Sequence, residues 1–166
     1  MQESLKKALL ELDYLEIMPD RNELILEKVG GISSSIHNED GTNEEHDVIT
    51  IVRFKRIING FPVKGASRIL VYLGENGQLE GIIYRWPRVV KTSISTKELK
   101  TALELQHGID SKLKHFEAEV DSVAIASSEL VLYDDGNGLI EPAIYVQGTL
   151  KSKTGFSASI GKYEPL

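Results

Sequence analysis

Apolar residues recur along the chain at two spacings, and each spacing predicts a different kind of element. Near the start, Leu5, Leu9, Leu12 and Leu15 follow one another at intervals of three and four residues, with Ala8 on the same side. That spacing is typical of the buried face of an amphipathic helix. Most of the remaining chain carries short runs rich in Val, Ile, Tyr and Phe, which favour β-strands.

Two helices are predicted. The first covers Ser4–Ile17, with the serine as its N-cap. The second covers Lys97–Gln106, is capped by Ser95 or Thr96, and ends at His107-Gly108.

Strands are predicted on both sides of the second helix. They are Glu23–Glu27 with a continuation at Gly31–Ile36, Val48–Ile58, Phe61–Leu73, Gln78–Trp86, Ala118–Ser127, Leu130–Tyr133, Ile140–Leu150 and Phe156–Tyr163. The polar, acidic segment Asn38–Asp47 is predicted to be a loop, and Asp134–Gly138 a turn.

Two Asn-Gly pairs predict tight turns between strands. The first pair suits a type I′ turn, in which both central residues have φ > 0. A proline and a glycine follow it closely, so a bulge or an edge position is expected there. The turn-forming residues are Asn59, Gly60, Pro62, Gly65, Asn76 and Gly77.

The order of elements predicts an α+β fold with two similar halves. Each half is expected to hold one helix lying across its own antiparallel meander. The halves cover about residues 1–92 and 93–166, and we expect them to pack as a single domain, 1–166.

Charge is distributed unevenly over a chain of net charge −6. Residues 48–91 hold 8 basic and 2 acidic side chains. By contrast, residues 1–47 hold 4 basic and 12 acidic side chains, and residues 92–166 hold 7 basic and 11 acidic ones. The acidic average argues against nucleic acid as a partner, because phosphate binding needs a basic surface. The basic centre either attracts acidic parts of its own fold or contacts an acidic partner.

Composition limits the chemistry further. The sequence has no cysteine, which excludes thiol catalysis, disulfides and cysteine-based zinc sites. No apolar run approaches the ~20 residues that cross a bilayer, so no membrane span is expected. The N-terminal stretch MQESLKKALLELDYL is amphipathic and lacks the apolar core of a signal peptide.

No metal or cofactor site is predicted. The histidines His37, His46, His107 and His115 do not have the spacing of a zinc site. The acidic segment 38–47 has enough oxygen atoms for weak calcium binding but does not follow the EF-hand ligand order, so we expect a solvated loop.

No catalytic motif is recognised either. The serines at 33–35 and 127–128 lie outside any Gly-x-Ser-x-Gly sequence. The carboxylate pairs Glu44/Glu45 and Asp134/Asp135 lie in turn-like segments, where such side chains bond to the backbone. We therefore expect that the protein is not an enzyme.

One stretch resembles a known family. The residues Asn59-Gly60-Phe61-Pro62-Val63-Lys64-Gly65, the apolar strand Arg68–Leu73 and the turn Asn76-Gly77 are similar to the fungalysin/thermolysin propeptide (FTP) and PepSY group. A second stretch, Leu139–Gly148, is similar to a closing strand that often follows such domains. Together the two stretches cover about a third of the chain.

The resemblance implies a cystatin-like, PepSY-like fold and an exported setting, secreted or on the cell surface. It also implies a non-catalytic role, in which the domain inhibits a zinc metallopeptidase or assists its folding. The sequence departs from a complete precursor because it contains no His-Glu-x-x-His. Three alternatives stay open: the domain acts in trans, it is a piece of a longer protein, or its fold serves another partner as an interaction or structural module.

The basic centre supplies the side chains that are enriched at protein interfaces. The alternative is that its aromatic residues belong partly to the core, with arginines at the rim of the sheet. The candidate partner surface consists of Arg53, Lys55, Arg68, Tyr72, Tyr84, Arg85, Trp86 and Arg88.

Overall fold

A computed structural model describes residues 1–38, 40–90, 99–114 and 120–166, without the side chains of Ile36 and residues 44–47. These residues form two helices and eight strands. The helices are α1 (Gln2–Tyr14) and α2 (Ala102–Lys114). The strands are β1 (Leu24–His37), β2 (Asn43–Ile58), β3 (Phe61–Gly65), β4 (Arg68–Gly74), β5 (Leu79–Arg85), β6 (Val120–Asp134), β7 (Ile140–Ser152) and β8 (Ser157–Pro165).

The elements divide into two compact units. Unit 1 contains Met1–Pro62 and Ala66–Pro87, and unit 2 contains Val63–Gly65 and Arg88–Leu166. The boundary at 87/88 lies near the predicted division between halves. That the chain works as a single domain stays a prediction.

In unit 1, the long strand β2 lies between β1 and β4, and β5 pairs with β4; all of these pairs are antiparallel. The first two residues of β3 return on β2 through Asn59-Gly60, which have φ of 52° and 85°. The type I′ turn is therefore confirmed. The second predicted turn is also present, with Gly77 at φ 73°.

The core of unit 1 lies between α1 and one face of this sheet. Ala8 and Leu12 are fully buried there, as the helical spacing of apolar residues predicts. They contact a cluster that includes Val52, Phe54 and Val71. Since side chains alternate along a strand, the odd-numbered neighbours in β2 lie on the opposite face, which we call the open face.

Unit 2 is built on β6, β7 and β8, which pair antiparallel in that order. Val63–Gly65 of β3 add a parallel strand beside the last residues of β6. Helix α2 lies against β8, where the buried carboxylate of Glu164 contacts Lys100 and Lys112.

The predicted fold class is wrong. Strands hold more than half of the described residues, and the eight strands form a mixed pattern with a parallel pair, not two helix-plus-meander units. The physical reason lies at Gly65, where a Cβ atom would overlap the backbone oxygen of Asp134. The pairing of β3 changes from β2 to β6 between Pro62 and Val63 and ends at this contact, so the predicted strand Phe61–Leu73 is divided into β3 and β4. Strand β4 then pairs with β2 directly.

Both predicted helices are displaced. Helix α1 begins at Gln2, and Ser4 lies inside it without capping it. Helix α2 begins five residues later than predicted, after a cap in which Thr101 and Glu104 exchange hydrogen bonds (2.8 Å and 3.3 Å). It also continues through Gly108, where the carboxylate of Glu164 occupies the space that a side chain would need. The caps predicted at 95 and 96 lie outside the described residues.

The acidic loop is shorter than predicted. Asn38 and Thr42 close a tight turn through a 2.9 Å backbone hydrogen bond, and β2 begins at Asn43. The carboxylate of Asp40 accepts the Thr42 N–H at 2.9 Å within that turn. Local polarity predicted a loop here, but pairing along β1 continues the strand.

Candidate functional site

The candidate surface residues are divided between the two faces of the unit 1 sheet. The register places Phe54, Ile69 and Tyr84 side by side on the face that α1 covers. The alternate positions of the same strands therefore lie on the open face. Of the predicted residues, the open face holds Arg53, Lys55, Arg68, Tyr72 and Arg85.

Three cations form a row across the open face. Lys55 of β2 is directly opposite Arg68 of β4, and Arg68 is directly opposite Arg85 of β5. Directly opposite side chains have Cβ atoms about 4.5–5.5 Å apart, and like charges in such pairs are destabilising. Within the described part of the chain, none of the three has an ion-pair partner within 4 Å. We call these three residues the basic row.

Apolar side chains lie next to the basic row. The neighbouring row contains Arg53, Leu70 and Ile83, and the next one contains Ile51 and Tyr72. Leu70 is 7% exposed, whereas Ile83 is 36% exposed. Arg53 has a distant acidic neighbour, with its Nε 3.9 Å from Glu27 Oε2. The open face thus combines unpaired cations with partly exposed apolar surface.

A shallow depression of about 180 Å³ continues the basic surface towards β1. It forms because Gly30 has no side chain opposite Ile51, and its sides carry Lys28 and Arg53. A Cβ atom at Gly30 would meet only the Lys28 side chain at 3.7 Å, so the space is open. Sequence reasoning missed Lys28 and this glycine, because only the β1–β2 register places them beside Arg53.

Two predicted aromatic residues do not belong to the open face. Trp86 packs against the core cluster, and the guanidinium carbon of Arg56 lies 5.0 Å from its ring centroid. Arg56 is 4% exposed and donates hydrogen bonds to Glu23 and to the Pro87 carbonyl at 2.7–2.8 Å. This cluster stabilises unit 1. Tyr84 shares the α1 side of the sheet and is 39% exposed.

Arg88 follows the end of β5 and is an exposed residue of unit 2, so it belongs to none of the strands of the unit 1 sheet. The turn residues have structural roles. Gly77 gives room to the Lys7 side chain, whose ammonium group donates to the Asn76 carbonyl at 3.2 Å. Pro62 is the last residue of unit 1 before β3 leaves it.

Unit 2 contains a stack of three tyrosine rings. The Tyr163 centroid lies 4.3 Å from that of Tyr133 and 4.6 Å from that of Tyr145. Burial, with the two neighbouring phenols, raises the pKa of Tyr163 to about 12. The ammonium group of Lys64 lies 5.0 Å from the Tyr145 ring centroid and 3.2 Å from Glu129. Because its pKa is about 12, the phenol of Tyr163 is protonated at neutral pH.

The other polar clusters of unit 2 also have partners within the fold. Burial raises the pKa of Glu164, but hydrogen bonds and charges from Lys100 and Lys112 outweigh it and hold that pKa below its usual value. Asp134 and Asp135 bond to the backbone of their own turn, as predicted.

Metal-binding groups do not cluster in the described part of the chain, where no three His, Asp or Glu side chains converge. His37 shares a hydrogen bond with Asn43, and His107 is an exposed residue of α2. His115 and the side chain of His46 lie outside the described residues, so the prediction that no metal is needed stays a prediction.

The sequence matches no family of known proteins, no curated protein and no solved structure. The resemblance to the FTP and PepSY group, the exported setting and the inhibitory role therefore remain predictions. No helix among the described residues is long and apolar enough to cross a membrane.

Proposed function

We propose that the chain is a non-catalytic binding module whose open face contacts an acidic surface of a partner protein. The observation that supports this proposal is the basic row. Three cations directly opposite one another cost stability, and the fold places no acidic partner beside them among the described residues. An acidic partner removes that repulsion when it binds.

The apolar residues beside the row give the same surface a second contribution. Ile83, Tyr72 and Ile51 are partly exposed, and burying them against a partner adds a hydrophobic contribution to the binding free energy. Arginine and tyrosine are among the side chains that dominate interface energetics. The proposed partner surface therefore carries carboxylates around a small apolar centre.

The particular partner that the resemblance suggests is a zinc metallopeptidase of an exported system, which the domain inhibits or helps to fold. Under this proposal the basic row makes the first contact, because long-range attraction raises the association rate. The alternative is an interaction or structural module that uses the same open face for an unrelated acidic protein.

Inhibition can be measured directly. The purified protein is titrated into a thermolysin-type peptidase from the same source, and hydrolysis of a short chromogenic peptide is followed. We expect slower hydrolysis at micromolar protein, with no cleavage by the protein alone. A triple variant, Lys55→Glu/Arg68→Glu/Arg85→Glu, should associate more slowly, and raising the salt concentration should shrink its difference from the unmodified protein.

The matched control is Lys6→Glu/Arg21→Glu/Lys151→Glu. Lys6 lies in α1, Arg21 precedes β1 and Lys151 lies in β7; all three are exposed and have no ion-pair partner within 4 Å among the described residues. Both triple variants change the net charge equally, so only a local effect separates them. If no peptidase from the source is slowed, the hypothesis that the protein inhibits a peptidase is wrong, and the alternative of an interaction module for an unrelated acidic protein is kept.

A further inference from the structure

Strand β6 has a long edge that no strand of the described chain covers. It pairs with β7 along its length, but on its other side only Leu132–Asp134 pair, with Val63–Gly65. From Val120 to Val131, β6 therefore pairs with a strand of the described chain on one side only. At about 3.3 Å per residue, this edge is roughly 40 Å long and presents outward N–H and C=O groups.

The side chains in the middle of this edge do not protect it. Ser122–Ser128 reads Ser-Val-Ala-Ile-Ala-Ser-Ser, without a charge, a proline or a glycine, and Ile125 is 54% exposed. The edge strand β8 differs, because it includes Gly161, Lys162 and Pro165. Edges that stay solvent-exposed usually carry such charges and prolines, whereas a long uncharged edge is a template for another strand.

The pairing of β6 with β7 shifts its register between Ile125 and Ser127, and this shift limits how many strands can add to the edge. The extra residue, Ala126, makes a bulge that bends the strand and increases its twist. A twisted edge disfavours the flat stacking of many strands, but it accepts one added segment.

The charges at the two ends distinguish a second copy of the chain from a different partner. Asp121 and Glu129 flank the uncharged run. An antiparallel pair of β6 edges centred on Ile125 brings Asp121 of each copy near Glu129 of the other, and a parallel in-register pair puts identical acids together. Both arrangements oppose like charges. Glu129 is partly neutralised by Lys64 at 3.2 Å, so Asp121 contributes more to this discrimination.

We propose that the edge Ser122–Ser128 binds an extended segment of another protein by strand addition, and that this segment has small or β-branched residues between basic ends. Backbone hydrogen bonds to the outward groups of β6 supply the affinity, and the acidic flanks select the charge. This interaction is independent of the open face, which selects the opposite charge.

The probe is a capped heptapeptide, Lys-Thr-Val-Ser-Val-Thr-Lys, titrated into the full ¹⁵N-labelled chain. We expect amide shifts and slower hydrogen exchange confined to Ser122–Ser128. A version with glutamate at both ends should bind about three- to tenfold more weakly. A version N-methylated at every residue should not bind, since it cannot donate the ladder hydrogen bonds from either of its edges.

Two variants carry the same new charge. Ile125→Lys should abolish binding, while Leu139→Lys, at a 52% exposed turn position of the same unit, should leave it unchanged. The proposal is overturned if the N-methylated peptide binds equally well or if the shifts lie elsewhere. It is also overturned if sedimentation shows dimers of the chain that the lysine-ended peptide does not dissociate, because a second copy then occupies the edge.

Discussion

The basic row predicts that removal of its central charge stabilises unit 1. The perturbation is Arg68→Gln, which keeps part of the side chain and removes the charge between Lys55 and Arg85. Two unit charges about 7 Å apart repel by about 0.6 kcal/mol in water. With two neighbours and flexible side chains, we expect a gain of about 0.4–1 kcal/mol in the free energy of unfolding.

Salt separates this repulsion from other effects of the substitution. In 10 mM salt the Debye length is about 30 Å, whereas in 1 M salt it is about 3 Å, so the gain should appear only at low salt. In melting temperature the gain corresponds to roughly 1–4 °C for a chain of this size. A shorter side chain also loses packing, but that loss is present at both salt concentrations.

The assay is tryptophan fluorescence during urea or thermal unfolding. Trp86 is the single tryptophan, and it packs against the core of unit 1, so the signal follows that unit. The control is Lys6→Gln in α1, an exposed cation of the same unit, which should give no salt-dependent gain. If Arg68→Gln is destabilising by the same amount at both salt concentrations, Arg68 stabilises the sheet and the predicted repulsion is refuted.

Four further predictions concern stability. Gly60→Val should cost about 1–2 kcal/mol, because a β-branched side chain is strained at φ 85°; an unchanged melting temperature would argue against the turn. Gly108→Ala, which in an ordinary helix gains up to ~1 kcal/mol, should destabilise unit 2, since the new Cβ overlaps the Glu164 carboxylate; circular dichroism melts of the variant test the sign. The pKa of Glu164 is lowered in the fold, so its ionised carboxylate contributes fully to the free energy of unfolding above the unfolded pKa near 4.5, and this contribution is lost as pH falls through the folded pKa. During acid titration, the free energy of unfolding of Glu164→Gln should therefore fall less steeply than that of the unmodified protein. Treatment with a chelator should leave the melting curve unchanged, and a large drop that calcium or zinc reverses would reveal a metal site.

Local signals in the sequence predicted the elements better than their arrangement. The Asn59-Gly60 pair determines its own turn, because few residues accept positive φ, and the spacing of Ala8 and Leu12 determines the buried side of α1. The pairing of β3 with β6 includes the close contact between Gly65 and Asp134, which are distant in the sequence. No local pattern predicts such a contact, so the predicted meander and fold class were wrong.

The candidate site shows the same limit. Composition identified residues 48–91 as basic, but the basic row exists only because the register aligns Lys55, Arg68 and Arg85. The alternation of side chains along a strand could have predicted that Trp86 and Arg85, which are consecutive, lie on opposite faces of the sheet. The pairing of Lys28 with Arg53 needed the bulge in β1, which shifts the register after Leu26.

The central claim is that the open face of unit 1 binds acidic protein surface. The most direct measurement is a titration of the ¹⁵N-labelled protein with a decapeptide of glutamate and aspartate around one phenylalanine. We expect amide shifts centred on Lys55, Arg68 and Arg85, weakening as salt rises and absent in the triple charge-reversal variant. Shifts spread evenly over all exposed lysines and arginines, or unchanged in that variant, would contradict it.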